Sequence, residues 1–351
     1  MKVFCYFVEP ASYTLDLANH IYDDLRIEYC FIKSETLARS SKRSKKPFLD
    51  KMSLFSRVLF IFSQYRKNDF IIINGYNNYP FVLTFILNLF SFRKRFIASD
   101  SDTQLRIPTS LFKRFIKWFY LSIIFKNKYV LGFAGGSNSH KDLFRNYGMN
   151  EERIFLMPLM VDNRKFLQED KRFPKIFTFL YVGRLVKHKN VEGLIQQFNA
   201  RFIDEPAVLR IVGSGDREEY LEDRYSSSKV IFTGKKFNSD LETEFQNASC
   251  FVCPSAFEPW GLVVNEALSS SLPVIATNKV GASFDLIKDK NTGFVVDNMN
   301  DFGNRMLELY NDSDLLLEYA ENACTLMKDH WNYDFYHKCL ITAIKKVKKC
   351  Q

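Results

Sequence analysis

Short, almost continuous apolar runs, each closed by a turn, recur along this chain at residues 2–8, 70–75, 95–99, 154–158, 177–182, 230–232, 250–253 and 273–276. Runs this uniform predict strands buried on both faces, as in a parallel sheet, because a strand with one wet face alternates apolar and polar residues. Between many of them, apolar residues repeat at helical spacing, over 13–25, 81–90, 111–128, 191–198 and from 262 onward. Strands alternating with helices predict an α/β fold of doubly wound sheets, with ligands at the carboxyl ends of the strands. A chain of 351 residues has room for two such units. Residues 1–163 are expected to form the first and 176–330 the second. The charged segment 164–175, which lacks an apolar period, reads as the linker. Helices over 301–310, 315–327 and 331–347 complete the chain.

The second unit is organised around residues 251–296. Its strand 250–253 stops at Pro254 and Ser255, Glu258 lies in a loop closed by Pro259 and Gly261, and a helix begins at Leu262. The change from loop to helix thus falls between two carboxylates, Glu258 and Glu266. A helix N-terminus carries unpaired N–H groups and partial positive charge, so the turn Trp260-Gly261-Leu262 suits a diphosphate. Glu266, about one turn into the helix, can accept hydrogen bonds from both hydroxyls of a ribose, and Glu258 from those of a sugar ring. Spacing alone leaves a plainer alternative open: two solvated glutamates and a glycine that opens a helix.

Cations suited to the same ligand lie upstream. Arg184 stands directly after Gly183, and Lys189 follows where a helix starts. A guanidinium fork and a point-charge ammonium together can hold two phosphates. Gly213-Ser214-Gly215, at a strand end, allows close backbone approach to a nucleotide. In order, Tyr181-Val182-Gly183-Arg184-Leu185 with Lys189, Ile211-Val212-Gly213-Ser214-Gly215, Val230-Ile231-Phe232-Thr233-Gly234 and the pair Glu258 and Glu266 resemble the motifs of family-four retaining glycosyltransferases.

That resemblance, which covers residues 178–296, implies the GT-B architecture: two Rossmann-like doubly wound domains facing across a cleft, the terminal helix 331–348 packed back on the first. It implies transfer of a sugar from a nucleoside diphosphate of UDP or GDP type to an acceptor hydroxyl, with anomeric configuration retained. Arg184, Lys189, Glu258 and Asp100 would be catalytic. Gly183, Gly213, Phe232, Gly261, Leu262 and Glu266 would bind the donor, with backbone near Phe232 meeting the base. No metal and no cofactor besides the donor is expected.

The first half matches that family only loosely. Its first loop, Glu9-Pro10-Ala11-Ser12, has no glycine where many relatives are glycine-rich. Asp100-Ser101-Asp102 has the look of a divalent-metal motif. Because cations already serve the phosphates, these residues are read instead as orienting acceptor hydroxyls, with helix capping as the alternative for Asp102. They fall roughly where relatives often carry a histidine close to the reacting sugar.

Charge changes the picture of this half. Of the net +9, residues 1–172 hold 28 Lys and Arg against 16 Asp and Glu, while the remainder holds 21 against 24. The run Arg39 to Lys46 reads as a solvated basic loop. Over 111–128, Lys113, Arg114 and Lys117 stand among Phe112, Phe115, Trp118 and Phe119. Such a helix either buries its aromatics in the core or lies on an anionic membrane surface. The positive surplus favours the membrane and a glycan or lipid-linked acceptor. No nucleic-acid motif accompanies the charge, which lies away from the phosphate-handling loops, so nucleic acid is not an expected partner.

Seven scattered cysteines without Cys-x-x-Cys argue against zinc and fit buried thiols in a reducing compartment. No run spans a membrane, and residues 1–8 read as a strand and not a signal peptide. A cytoplasmic place, peripheral on the inner face of the plasma membrane, and a bacterial capsule or O-antigen pathway are expected. The competing reading is a non-catalytic nucleotide-sugar-binding or membrane-docking subunit.

Overall fold

The structure, a computed structural model, describes residues 1–35, 45–101 and 104–350. It divides into two compact units, Met1–Leu159 with Tyr333–Gln351, and Met160–Asn332. Most of the basic run 39–46, and Asp102, lie outside the described residues.

The first unit is built on six parallel strands: β1 (Val3–Phe7), β2 (Glu28–Phe31), β3 (Phe70–Asn74), β4 (Phe96–Ser101), β5 (Val130–Ala134) and β6 (Ile154–Leu156). Their order is β2-β1-β3-β4-β5-β6. Ile71, Ile72 and Ile73 have no exposed surface, as the unbroken apolar run requires of a strand covered on both faces. The stretch 13–25 is less regular than its pattern: an α-helix over Ser12–Leu17 widens into a π-helical turn, Ala18–Tyr22. Tyr22 there meets Tyr336 of the terminal helix Tyr333–Lys349, hydroxyl to hydroxyl at 3.0 Å.

The second unit has β7 (Phe177–Val182), β8 (Ala207–Val212), β9 (Val230–Phe232), β10 (Cys250–Cys253), β11 (Val274–Thr277) and β12 (Gly293–Val296), again all parallel. The order is β12-β11-β10-β7-β8-β9. Adjacent strands β7 and β10 therefore send their connections to opposite sides, β7 toward β8 and β10 toward β11. Loops that part in this way leave a crevice at the strands' carboxyl ends, the switch point where such sheets hold ligands.

Residues 164–175, read above as a linker, belong to this second unit. Polar side chains in it and just before it serve as anchors. Asn163 Nδ2 donates to the carbonyls of Met327 and Trp331 at 2.7 and 2.8 Å. Lys171 Nζ donates to the carbonyls of Phe245 and Gln246 at 3.0 and 2.8 Å, closing the C-terminal end of the helix Asn238–Gln246.

Much of the chain's aromatic content goes into the cores. Behind β7, the rings of Phe198 and Phe202 lie 6.1 and 5.1 Å from that of Phe179 and 5.2 Å from each other. Phe198→Ala, at a position 1% exposed, is expected to cost about 3–5 kcal/mol. Denaturant unfolding measures it, and a loss below about 1 kcal/mol would mean that the cluster collapses around the gap.

Candidate functional site

The site grows from the loops that leave β7 and β10. After β7 the chain turns at Gly183, whose N–H donates to the Val212 carbonyl at 3.0 Å. Gly213 packs on that turn so closely that a Cβ would collide with the Gly183 carbonyl, and its φ of +147° also excludes other residues. Tyr181 hydroxyl donates to the Arg184 carbonyl at 3.0 Å and steadies the next peptide. The Arg184 side chain is exposed and pairs with no carboxylate among the described residues. A 3-10 turn, Lys187–Lys189, leads to Asn190, which takes the left-handed conformation (φ 54°) that Asn tolerates better than most residues. The helix Val191–Phe202 starts there.

The loop after β10 is tied to this one. Ala256 N–H donates to the His188 carbonyl at 2.8 Å. Glu258 forms a parallel bridge with Val280: its N–H donates to the Lys279 carbonyl and its carbonyl accepts from Gly281, both at 3.0 Å. Held from both sides, Glu258 forms an ion pair with Lys189, Oε2 to Nζ, with 15% and 14% of the two side chains exposed. Burial lowers the pKa of Lys189; the Cys253 thiol opposes that shift and the Arg184 cation adds to it. Contact with the Glu258 carboxylate stabilises the charged ammonium.

Gly261, at φ +93°, is the N-cap of the helix Leu262–Ser269. The Trp260 side chain, only part of an expected phosphate turn in the sequence, is an anchor. It is buried, stacks on Trp331 at 5.7 Å between ring centroids and donates from Nε1 to Asn265 Oδ1 at 2.9 Å. Glu266 is partly exposed, yet burial of its carboxyl pushes the pKa up to about 8, against the pull of Lys165. Phe232, at the end of β9, packs its ring partly buried against the core, and Gly213 N–H reaches the Gly234 carbonyl at 2.9 Å.

Gly183, Arg184, Lys189, Gly213, Phe232, Glu258, Gly261, Leu262 and Glu266 all stand on strand ends or on the connections that leave them at one edge of the second sheet. Asp100 belongs to the first unit, near the carboxyl end of β4. Its carboxylate accepts from Asn74 Nδ2 and its carbonyl from the Gly75 N–H at 2.6 Å. Sequence reasoning missed Lys165, which lies far from Glu266 along the chain, and the strap 279–281 that pins Glu258. Neither carries a local signal.

Each unit is a doubly wound parallel α/β sheet, and the comparisons with known proteins bear on its class. Residues 162–325 match the family model described as glycosyl transferases group 1. That match spans most of the second unit. An uncharacterised glycosyltransferase of Methanocaldococcus jannaschii is 34% identical over 134 residues, 37% of this chain and 33% of that protein. The capsular polysaccharide biosynthesis glycosyltransferase CapM of Staphylococcus aureus is 31% identical over 201 residues, 53% of this chain and 47% of CapM. The chain thus spans about half or less of these curated relatives. Anabaena HepE in complex with UDP superposes with a TM-score of 0.72 at 15% identity, covering 99% of this chain and 100% of HepE. Sucrose-phosphate synthase of Thermosynechococcus elongatus gives 0.73 at 16% identity, covering 100% of both. At such identities the likeness establishes the fold, that of GT-B glycosyltransferases.

The raised pKa of Glu266 has a consequence for stability. The folded chain keeps a proton that the unfolded chain releases above its ordinary value of 4.5. Stability is therefore expected to fall as pH rises toward about 8 and to level off beyond. Glu266→Gln lacks that loss, so its melting temperature should gain on the wild type between about pH 5 and about pH 8. Parallel melting-temperature curves over that range would contradict the assignment.

Proposed function

We propose that this chain is a retaining glycosyltransferase that moves a sugar from a nucleoside diphosphate to an acceptor hydroxyl, in the assembly of a bacterial capsule, O-antigen or other surface glycan. The observation that carries the reading is the convergence of Arg184, Lys189 and Glu258 at the switch point between β7 and β10. In the resting chain Lys189 is paired with Glu258. A diphosphate entering the crevice gives Lys189 a new anionic partner and frees Glu258 to accept from hydroxyls of the transferred sugar. Glu266 binds the ribose and gives up its proton to accept from both hydroxyls.

Chemistry follows from where charge grows. As the glycosidic bond breaks, negative charge builds on the departing diphosphate, facing Arg184, Lys189 and the helix N-terminus after Gly261. Interactions stronger in the transition state than in the ground state accelerate the step, and preorganised donors of this kind contribute on the order of 3 kcal/mol each. Asp100 serves the acceptor hydroxyl. The UDP and UDP-glucose bound to HepE support a UDP-type donor, and the GDP-mannose-dependent α-mannosyltransferase of Corynebacterium glutamicum, 30% identical over 167 residues, keeps GDP in view. CapM supports the capsule context. The basic first half supports a peripheral place on an anionic membrane and a lipid-linked acceptor; no helix among the described residues is long and apolar enough to cross a membrane.

Arg184→Ala is expected to lower turnover by about a hundredfold or more while leaving the melting curve unchanged, because the side chain is exposed. Release of nucleoside diphosphate from a panel of UDP- and GDP-sugars, with and without acceptor, measures it. Turnover near wild type would remove the diphosphate assignment. Binding without any donor hydrolysis by the wild type would favour the non-catalytic subunit instead.

A further inference from the structure

Three helices of the first unit turn apolar residues outward. On Leu54–Lys67 the exposed positions Leu54, Phe55, Val58, Leu59 and Phe62 fall on one stripe. Tyr79–Phe90 ends with Ile86, Leu89 and Phe90 exposed, and Phe92 just beyond it stands fully in solvent. Leu111–Lys126 exposes Leu111, Phe112, Phe115, Ile116, Phe119 and Ile123. Phe112, Phe115, Trp118 and Phe119 thus point away from the core, while Phe125 near the helix end is buried in it. The first two helices pack on each other, and a groove of about 340 Å³ runs between the second and third, walled by Phe85, Ile86, Leu89, Ile116, Phe119 and Ile123. Single exposed apolar side chains are ordinary on a protein surface, but a face continuous over three helices marks a place that something covers.

Charge says what covers it. The three helices contain no Asp or Glu, and residues 51–150 hold fifteen Lys and Arg against four Asp. Lys113 and Arg114 are exposed within the third helix, Arg66 and Lys67 end the first, and Arg93 follows the second. Cations lie against aromatics along the third helix, Lys126 over Trp118 at 6.0 Å and Lys117 over Tyr147 at 5.9 Å. Beside them a hollow of about 440 Å³ is lined by Arg114, Trp118, Asn146 and Tyr147 together with Ile107 and Leu111. A guanidinium, an amide and a phenol above an apolar floor suit a phosphate headgroup whose chains continue onto the apolar face. A second copy of this chain would bring the same cations against each other, a repulsion that an anionic bilayer replaces with attraction.

We propose that this face docks on an anionic lipid bilayer, with the outward stripes of all three helices in the interfacial acyl region and the cations among the headgroups. The inference deepens the peripheral-membrane reading given above and rests on it: it places the contact on three helices together, where the sequence pointed to one.

Sedimentation of the full chain with vesicles tests it. Binding is expected to phosphatidylcholine vesicles that contain phosphatidylglycerol, to be far weaker with phosphatidylcholine alone, and to weaken as salt is raised. Phe112→Ser with Phe119→Ser should reduce binding about tenfold or more, and Phe55→Ser with Phe62→Ser on the separate helix should do the same. These side chains are exposed, so circular dichroism and melting should not change. Undiminished binding by either pair would overturn the three-helix face. So would a lipid-free dimer, seen by light scattering, that the same substitutions dissolve. Donor hydrolysis by the same preparations keeps the two readings apart. Turnover without vesicle binding removes the docking face and leaves sugar transfer standing, and vesicle binding without turnover does the reverse.

Discussion

The ion pair between Lys189 and Glu258 is the contact on which the chemistry proposed for the second unit depends. It joins loops from two neighbouring strands, β7 and β10, whose onward connections diverge. Both groups are mostly buried, and a buried pair is costly to break by removing either member. The two side chains are therefore kept at the crevice mouth by each other before any ligand arrives. A ligand that is anionic at one end and rich in hydroxyls at the other can replace both halves of the pair at once, which is the chemical description of a nucleotide-sugar.

The backbone around the pair is as constrained as the charges. Gly213 touches the turn at Gly183, the His188 carbonyl takes the Ala256 N–H, and the bridge from Glu258 to Val280 holds the far side. Trp260 is locked by Trp331 and Asn265. Lys189, Glu258 and the loop of Arg184 thus rest on strand ends and short hydrogen-bonded loops, which leaves little to order were a ligand to bind there. The first unit shows the opposite economy: its outer helices leave large apolar side chains unburied.

Much of this was legible in the residues. β7 and β10 coincide with their apolar runs because strands buried on both faces need no alternation, and the helix from Leu262 is announced by Gly261. Harder elements failed for identifiable reasons. β2 is only four residues long and begins at the polar Glu28; the helix Leu54–Lys67 turns its apolar stripe outward, so its pattern does not mark a core-facing side. The segment 164–175 looked like a tether because it carries no apolar period, although Lys171 within it bonds to the backbone carbonyls of Phe245 and Gln246. At the site, the types and order of Arg184, Lys189, Glu258 and Glu266 were readable. The resting pair and the raised pKa of Glu266 were not, since both arise from groups brought together only by the fold.

The central claim is that the carboxyl ends of β7 and β10 receive a nucleoside diphosphate. A crystal structure of the chain with UDP or GDP bound tests it most directly. The account predicts the β-phosphate within hydrogen-bond reach of Arg184, Lys189 and the first N–H groups of the helix Leu262–Ser269, with the contact between Lys189 and Glu258 opened. A nucleotide lodged elsewhere, with that ion pair intact, would contradict it.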